Sequence, residues 1–249
     1  MEKGMLNNKL IFDLGFHNGD DTDFYLKKGF KVVALEANPD LIETGKERFQ
    51  DYIISGQLIL LHKAIHFFMG QDSFYIHQTN INYSSCFKEL VEIDKTISKK
   101  IDIETITFDK LCNNYGVPYY AKVDVEGCDI FVAEKISKME IKPSYVSFEL
   151  CKKDYSYIFA YLLLSGYTKF QLINQVHNPI RKLPLLQKEG NSIDYTFSEH
   201  SSGLFGKDLQ DKMWLTYEEM LLHYMKYREL KQLDNQELTF GWIDLHAKN

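Results

Sequence analysis

Short apolar runs alternate along the chain with stretches whose apolar positions recur at helical spacing. Residues 9–14 have strand length and end in Asp13-Leu14, directly before Gly15. Gly15 and Gly19 frame a tight loop, and Asp20 or Asp21 is placed to cap a helix running to Lys28. Residues 31–36 give a second strand, closing on Glu36, and the Asn38-Pro39 pair turns the chain. Asp40 then caps a helix to about Tyr52, with Leu41, Gly45 and Phe49 on its inward stripe. A third strand covers 58–61. From 64 to 77 the alternation turns around 70–72 and reads as an added hairpin. Residues 80–87 form a polar loop able to line a pocket, and 89–100 read as charged surface. Asp109 is expected to cap a helix over 110–115.

The run 120–127 departs from what a central strand should look like. Such a strand is apolar on both faces, yet Lys122, Asp124 and Glu126 alternate here on one side, opposite Ala121, Val123 and Val125. Three charges on a core strand are costly unless they reach a ligand, a partner or water. Strand 145–150 also carries an acid, Glu149, near its carboxyl end. Helices are expected over 129–137 and 155–165, and a sixth strand over 167–172. Residues 174–236 break the rhythm with Pro179, Pro184, Gly190, Gly203 and Gly206. They read as an insertion, either a lid or a cap on the sheet, holding a helix over 216–233 with Leu221, Leu222, Met225 and Leu233 inward. The closing run 240–246 alternates strictly and is expected to pair antiparallel between the fifth and sixth strands. Trp242, Asp244 and His246 share one face of it, with His246 favoured at the surface over a catalytic role.

This alternation predicts one α/β domain over 1–249, a doubly wound Rossmann-like sheet with an added hairpin and a helical insertion. At 249 residues and 45% hydrophobic, the chain is long enough for one well-buried core. A net charge of -6 without a basic run disfavours a nucleic-acid partner. Cys86, Cys112, Cys128 and Cys151 have no paired spacing and read as reduced thiols. His62 and His66 fall where that spacing does not converge, so no metal site is expected. No apolar run spans a bilayer and no signal segment stands before the first strand, which predicts a cytoplasmic protein without a membrane partner.

The glycine loop lets backbone approach a ligand, and the helix start beyond it suits a carboxylate or phosphate. A dinucleotide fingerprint fails here, because His17 and Asp20 stand at its second and third glycine positions. Asp13, Asp20 and Asp21 would repel a pyrophosphate and suit a cationic ligand. S-adenosylmethionine has a sulfonium and an ammonium for the acids and one carboxylate for the helix amides. Glu36 is placed to accept hydrogen bonds from two ribose hydroxyls. The loop residues Gly15, His17, Asn18, Gly19, Asp20 and Thr22, with Asp13 before them and Ala37, Asn38 and Asp124 nearby, make up the expected cofactor site. Asp124, Glu126, Lys122 and Glu149 are the expected catalytic set, with His17 and His246 in reserve. The rival readings are a nicotinamide-dependent oxidoreductase or epimerase, and a non-catalytic ligand-binding protein of the same fold.

Taken together, D-L-G-F-H-N-G-D-D-T at 13–22, V-V-A-L-E-A-N-P at 32–39 and K-V-D-V-E-G at 122–127 resemble the FkbM-like family of class I S-adenosylmethionine-dependent methyltransferases. V-S-F-E at 146–149 and the terminal W-I-D-L-H agree with it. The resemblance implies a seven-stranded, mostly parallel sheet with an antiparallel last strand. It also implies O-methylation of a small-molecule or carbohydrate hydroxyl. By position, Asp13, Gly15 and Gly19 would hold the methionine end, Glu36 the ribose, and Asp124 and Glu126 the methyl-transfer face. The family often has a small residue where this chain has Phe16. No N-P-P-Y-type element, which would suit amino-group methylation, follows the fourth strand.

Overall fold

The computed structural model describes residues 5–92, 97–150, 155–233 and 241–249, the side chains of 230–233 excepted. Cys151, Phe240 and the Leu233 side chain lie outside the described residues. The chain opens with β1 (Leu6–Leu14), α1 (Asp20–Lys27), β2 (Lys31–Glu36), α2 (Pro39–Arg48), α3 (Gln50–Ile54) and β3 (Leu58–His62). There follow β4 (Ala64–Ile65), β5 (Gly70–His77), the short α4 (Lys88–Val91) and β6 (Ser98–Ile106). Next come α5 (Phe108–Tyr115), β7 (Val117–Val123), α6 (Asp129–Lys138), β8 (Tyr145–Glu149), α7 (Tyr155–Leu164) and β9 (Lys169–Asn174). The chain closes with α8 (Tyr217–Leu233) and β10 (Ile243–Lys248).

The main sheet has seven strands in the order β3-β2-β1-β7-β8-β10-β9. All are parallel except β10, which runs antiparallel to both β8 and β9. This is the doubly wound α/β sheet expected from the alternation, with the strand order reversing at β1/β7. Ligands of such sheets sit outside the carboxyl ends of the strands at that reversal.

Alternation along each strand sorts side chains between two cores. Leu10, Phe12, Leu14, Ala121, Val123, Leu245 and Ala247 join the core under α5, α6, α7 and α8. Ile11 and Tyr120 join the core under α1 and the insertion. Asp13, Lys122, Asp244 and His246 alternate with the first group and therefore belong to the second face. The insertion covers that face with Phe197, Leu204, Phe205 and Leu209. The fully buried Phe205 ring stacks on Tyr120 at 4.9 Å. Beyond it the chain crosses to the other face, where Met220 and Tyr224 of α8 are buried. Leu222 and Met225, expected inward, are exposed instead. The insertion thus wraps the β9 edge and covers both faces.

Several local expectations are corrected. The N-cap of α1 is Gly19, at φ 82°, and neither Asp20 nor Asp21 holds that position. Asn38 caps α2 by accepting from the Asp40 amide at 3.0 Å, and Thr107 stands before α5 in place of Asp109. The run 64–77 is not a hairpin. Its second half, β5, pairs antiparallel with β6, while β4 pairs parallel with β6. The charges along β6 (Lys99, Lys100, Asp102, Glu104) hide a strand that presents Ile101, Ile103 and Ile106 inward. Finally, β7 ends at Val123, so Asp124 and Glu126 belong to the loop after it.

Candidate active site

The loop after β1 is fixed by backbone first. The amides of Gly15 and Phe16 both donate to the Leu35 carbonyl, at 3.1 and 2.9 Å. Gly15 has φ 89°, and a Cβ there would lie 1.9 Å from the Asp124 carbonyl oxygen. The two loops at the strand-order reversal therefore touch through glycine. Phe16 is buried and meets Phe49 edge-on at 5.8 Å. Room for its ring comes from Gly19 and Gly45, where a Cβ would lie within 2.6 and 2.7 Å of it.

Beneath the loop lies a buried ionic cluster. The Lys122 ammonium donates to the Gly15 carbonyl at 2.8 Å and pairs with Asp13 at 3.3 Å and Asp21 at 3.7 Å. Thr22 donates to the other Asp13 oxygen at 2.6 Å, and the Ser202 amide donates to Asp21 at 2.8 Å. Burial pushes Asp21 up to about 6, with Lys122 acting against it and Asp13 reinforcing it. Lys122 itself is raised, because its carboxylate partners outweigh burial. Asp13 and Asp21, expected to attract a cationic ligand, are already matched by a cation of the protein. Asp20 too is engaged, with Arg48 at 2.8 Å and the Ser198 hydroxyl at 2.6 Å. Those two hydrogen bonds offset the effect of burial and leave its carboxyl below the usual range.

Above this cluster, at the carboxyl edge of the sheet, opens a cavity of about 740 Å³. Of the expected site residues, Gly15, His17, Asn18, Glu36, Ala37, Asn38, Lys122, Asp124, Glu126 and Glu149 line it. Asp13, Gly19, Asp20 and Thr22 do not line it and act from behind. The loop 80–84 and Cys86 form one wall, as a polar loop was expected to do. Leu35, Ile65, Phe74 and Val125 supply an apolar one.

Glu36 accepts from the His17 amide through one oxygen and from the Asn38 amide through the other, each at 2.8 Å. These bonds fix its carboxylate while leaving each oxygen a further lone pair for a ligand. Burial raises its pKa, and the two amides oppose that shift. The loop after β7 is clamped by Asp129, which accepts from the Val125 and Gly127 amides at 3.2 and 2.9 Å. Ser85 donates to the Glu126 carbonyl at 2.6 Å, tying the 80–87 wall to it. Among the described residues, His17 (φ 51°) and Glu126 (φ 46°) are the non-glycine residues with positive φ. Both line the cavity, in keeping with the tendency of strained backbone to gather at functional sites.

Gln175, Glu199, His200 and Trp242 also line the cavity and lay outside the expected set. Glu199 and His200 belong to the insertion, and the His200 ring stands 5.6 Å from that of His17. Burial, then Lys122 and His200, lower the His17 pKa. Their arrival depends on long-range packing. Tyr195 and Ser198 bond to α1, and Lys28 is locked against Asp208 at 2.8 Å with both side chains buried. No local pattern in 174–236 encodes that.

The last strand corrects one expectation and adds one residue. His246 is buried, not at the surface, and does not line the cavity. Burial and the nearby Arg181 push it down to about 3, so it is neutral at pH 7. Asp244 stands opposite Glu149 in the β10–β8 ladder and accepts from the Gln175 side chain at 2.5 Å. Among the described residues its other oxygen has no hydrogen-bond partner, and burial, then Asp124, raise it to about 7. A folded pKa above the unfolded one makes its stabilising contribution complete below about pH 4, and that contribution is lost as pH rises through about 7. Asp244→Asn mimics the protonated group. Its advantage over wild type in urea melts should grow by roughly 2–3 kcal/mol between pH 5 and pH 8. An equal difference at both pH values would contradict the assignment.

A family profile described as the methyltransferase FkbM domain matches residues 13–169. Among solved structures, a methyltransferase FkbM from Methylobacillus flagellatus KT is 13% identical, with a TM-score of 0.46 over 68% of this chain. The match spans 41% of that protein, less than half its length. A Thermoplasma acidophilum protein proposed to be a methyltransferase is 12% identical, with a TM-score of 0.38 over 99% of this chain and 70% of its own. No curated protein sequence matches the chain. With the family profile covering more than half of its length, from the acid of the first strand to the start of β9, the chain belongs to the FkbM methyltransferase family.

Proposed function

We propose that the protein is an S-adenosylmethionine-dependent O-methyltransferase acting on a hydroxyl of a sugar, a glycan or a small metabolite. The observation that carries this reading is the composition of the 740 Å³ cavity at the strand-order reversal. Its volume lies within the range of about 300–1,000 Å³ usual for small-molecule sites. Glu36, Asp124, Glu126 and Glu149 face it, and so does an apolar wall.

The residues fit the cofactor class. Glu36, held by two amides, suits a pair of ribose hydroxyls. Ala37, Ile65, Phe74 and Val125 offer an apolar slot for a base. The backbone of Gly15–Gly19 receives the amino-acid end, supported from behind by Asp13, Thr22 and Lys122. Asp124 and Glu126 stand where a sulfonium would be stabilised, and a pyrophosphate repelled. S-adenosylmethionine, when bound, supplies the methyl group together with its own leaving group.

The remaining work is alignment, exclusion of water and removal of one proton. Asp124 or Glu126 accepts the acceptor hydroxyl's proton, with Glu149 next in line at the end of β8. Lys122 is enclosed by Asp13, Asp21 and Gly15 and acts by positioning the loop. Trp242, 45% exposed at the rim, presents a flat apolar face suited to a sugar ring. Titration calorimetry with S-adenosylhomocysteine and with NAD tests the reading. Micromolar binding of the first and none of the second is expected. NAD binding without S-adenosylhomocysteine binding would overturn it in favour of an oxidoreductase.

A further inference from the structure

A second cavity, of about 200 Å³, lies between the edge strand β9 and residues 204–213 of the insertion. It shares no lining residue with the first cavity. Gln171 of β9 forms part of its wall. That residue is 3% exposed, and among the described residues its Oε1 has no hydrogen-bond partner. Directly across the β9–β10 ladder stands His246, neither of whose ring nitrogens has a hydrogen-bond partner among the described residues. Arg181 and Lys182 close the cavity from the insertion side. The Arg181 Nε donates to Asn178 at 3.0 Å, and among the described residues no carboxylate pairs with the guanidinium. Burial lowers its pKa.

Buried polar atoms are nearly always paired, so unpartnered ones beside a half-buried cation call for an occupant. The needs of these groups differ. A guanidinium suits an oxyanion, which it can hold through two parallel hydrogen bonds. The Gln171 oxygen can only accept, so it needs a hydroxyl or another donor. A bare oxyanion satisfies the first group alone, and a neutral polyol the second alone. We propose that this cavity binds a small oxyanion bearing hydroxyls, of the sugar-phosphate class, through Arg181, Lys182 and Gln171. The volume is below that of a typical drug-sized site, which fits a single phosphorylated sugar. Lys182, exposed at the mouth, adds a second positive charge. The proposal is independent of the S-adenosylmethionine reading.

Titration calorimetry with glucose 6-phosphate, inorganic phosphate and glucose tests it, on the wild type and on Arg181→Gln, Lys182→Ala and Gln171→Leu. A thermal melt of each variant checks folding, and the exposed Lys182 can be changed with little risk to it. Glucose 6-phosphate should bind the wild type about tenfold more tightly than inorganic phosphate, and glucose should give no heat. Arg181→Gln should weaken glucose 6-phosphate by about tenfold or more, and Lys182→Ala by about threefold. Absence of glucose 6-phosphate binding would leave ordered water as the occupant and overturn the proposal. Equal affinity for inorganic phosphate, or undiminished binding in both Arg181→Gln and Lys182→Ala, would overturn it as well.

Discussion

Replacing Lys122 by methionine should destabilise the protein by roughly 3–5 kcal/mol, the cost of removing one partner from a buried ionic cluster. Methionine has nearly the same length, so the loss is electrostatic rather than a cavity. Asp13, fully buried, has one oxygen held by Thr22, while its other oxygen has no hydrogen bond among the described residues and faces the ammonium. Asp21 loses the cation that opposes its upward shift. Two adjacent buried carboxyls cannot both remain ionised, so Asp21 should titrate above its present value of about 6. The deficit in urea melts should therefore shrink as pH falls from 8 to 5. Adding Asp21→Asn to Lys122→Met should recover part of the loss, since one uncompensated charge is removed and the Ser202 amide keeps an acceptor. If Lys122→Met stays within about 1 kcal/mol of wild type at pH 8, the ammonium is not what holds these acids.

Gly15→Ala should cost about 3 kcal/mol or more and weaken S-adenosylhomocysteine by about a hundredfold. A side chain at φ 89° is strained by itself, and its Cβ would overlap the Asp124 carbonyl at 1.9 Å. Relief requires the loop after β1 to part from the loop after β7, which separates the Glu36 side of the cavity from the Asp124 side. Gly56→Ala is the matched control. Gly56 has φ 72° but nothing within 4 Å of a built Cβ. It should cost about 1 kcal/mol and leave ligand affinity unchanged. Equal effects from the two substitutions would mean that strain alone matters, and that contact between the loops does not.

Much of this site could be read from local patterns. Buried parallel strands write themselves as continuous apolar runs, so β1 and β2 are legible as such, β7 is marked by the charges that break its run, and the acids that follow these strands mark the carboxyl edge. Strand β6 is not, because its outward face carries Lys100, Asp102 and Glu104, Lys99 adds a charge at its start, and its partner strand lies more than twenty residues earlier. The alternation of Lys122, Asp124 and Glu126 was visible, but its meaning differed. Lys122 is the strand residue, neutralising acids on the strand's own face, while the other two occupy a turn at the strand's end. The capping residues were missed by one or two positions, since Asn38 and Gly19 compete with nearby aspartates for the same role. Glu199 and His200 could not have been found locally. They reach the cavity only because Lys28, Asp208 and the Phe205 cluster dock the insertion onto α1 and β7.

The proposed function requires the acid-lined cavity to hold S-adenosylmethionine with its ribose on Glu36 and its reacting end towards the loop after β7. A crystal structure with bound S-adenosylhomocysteine tests this most directly. The ribose hydroxyls should lie within hydrogen-bond distance of Glu36, and the sulfur should face Asp124 and Glu126. Density for the ligand elsewhere, or in this cavity with the sulfur turned away from residues 124–126, would contradict the account.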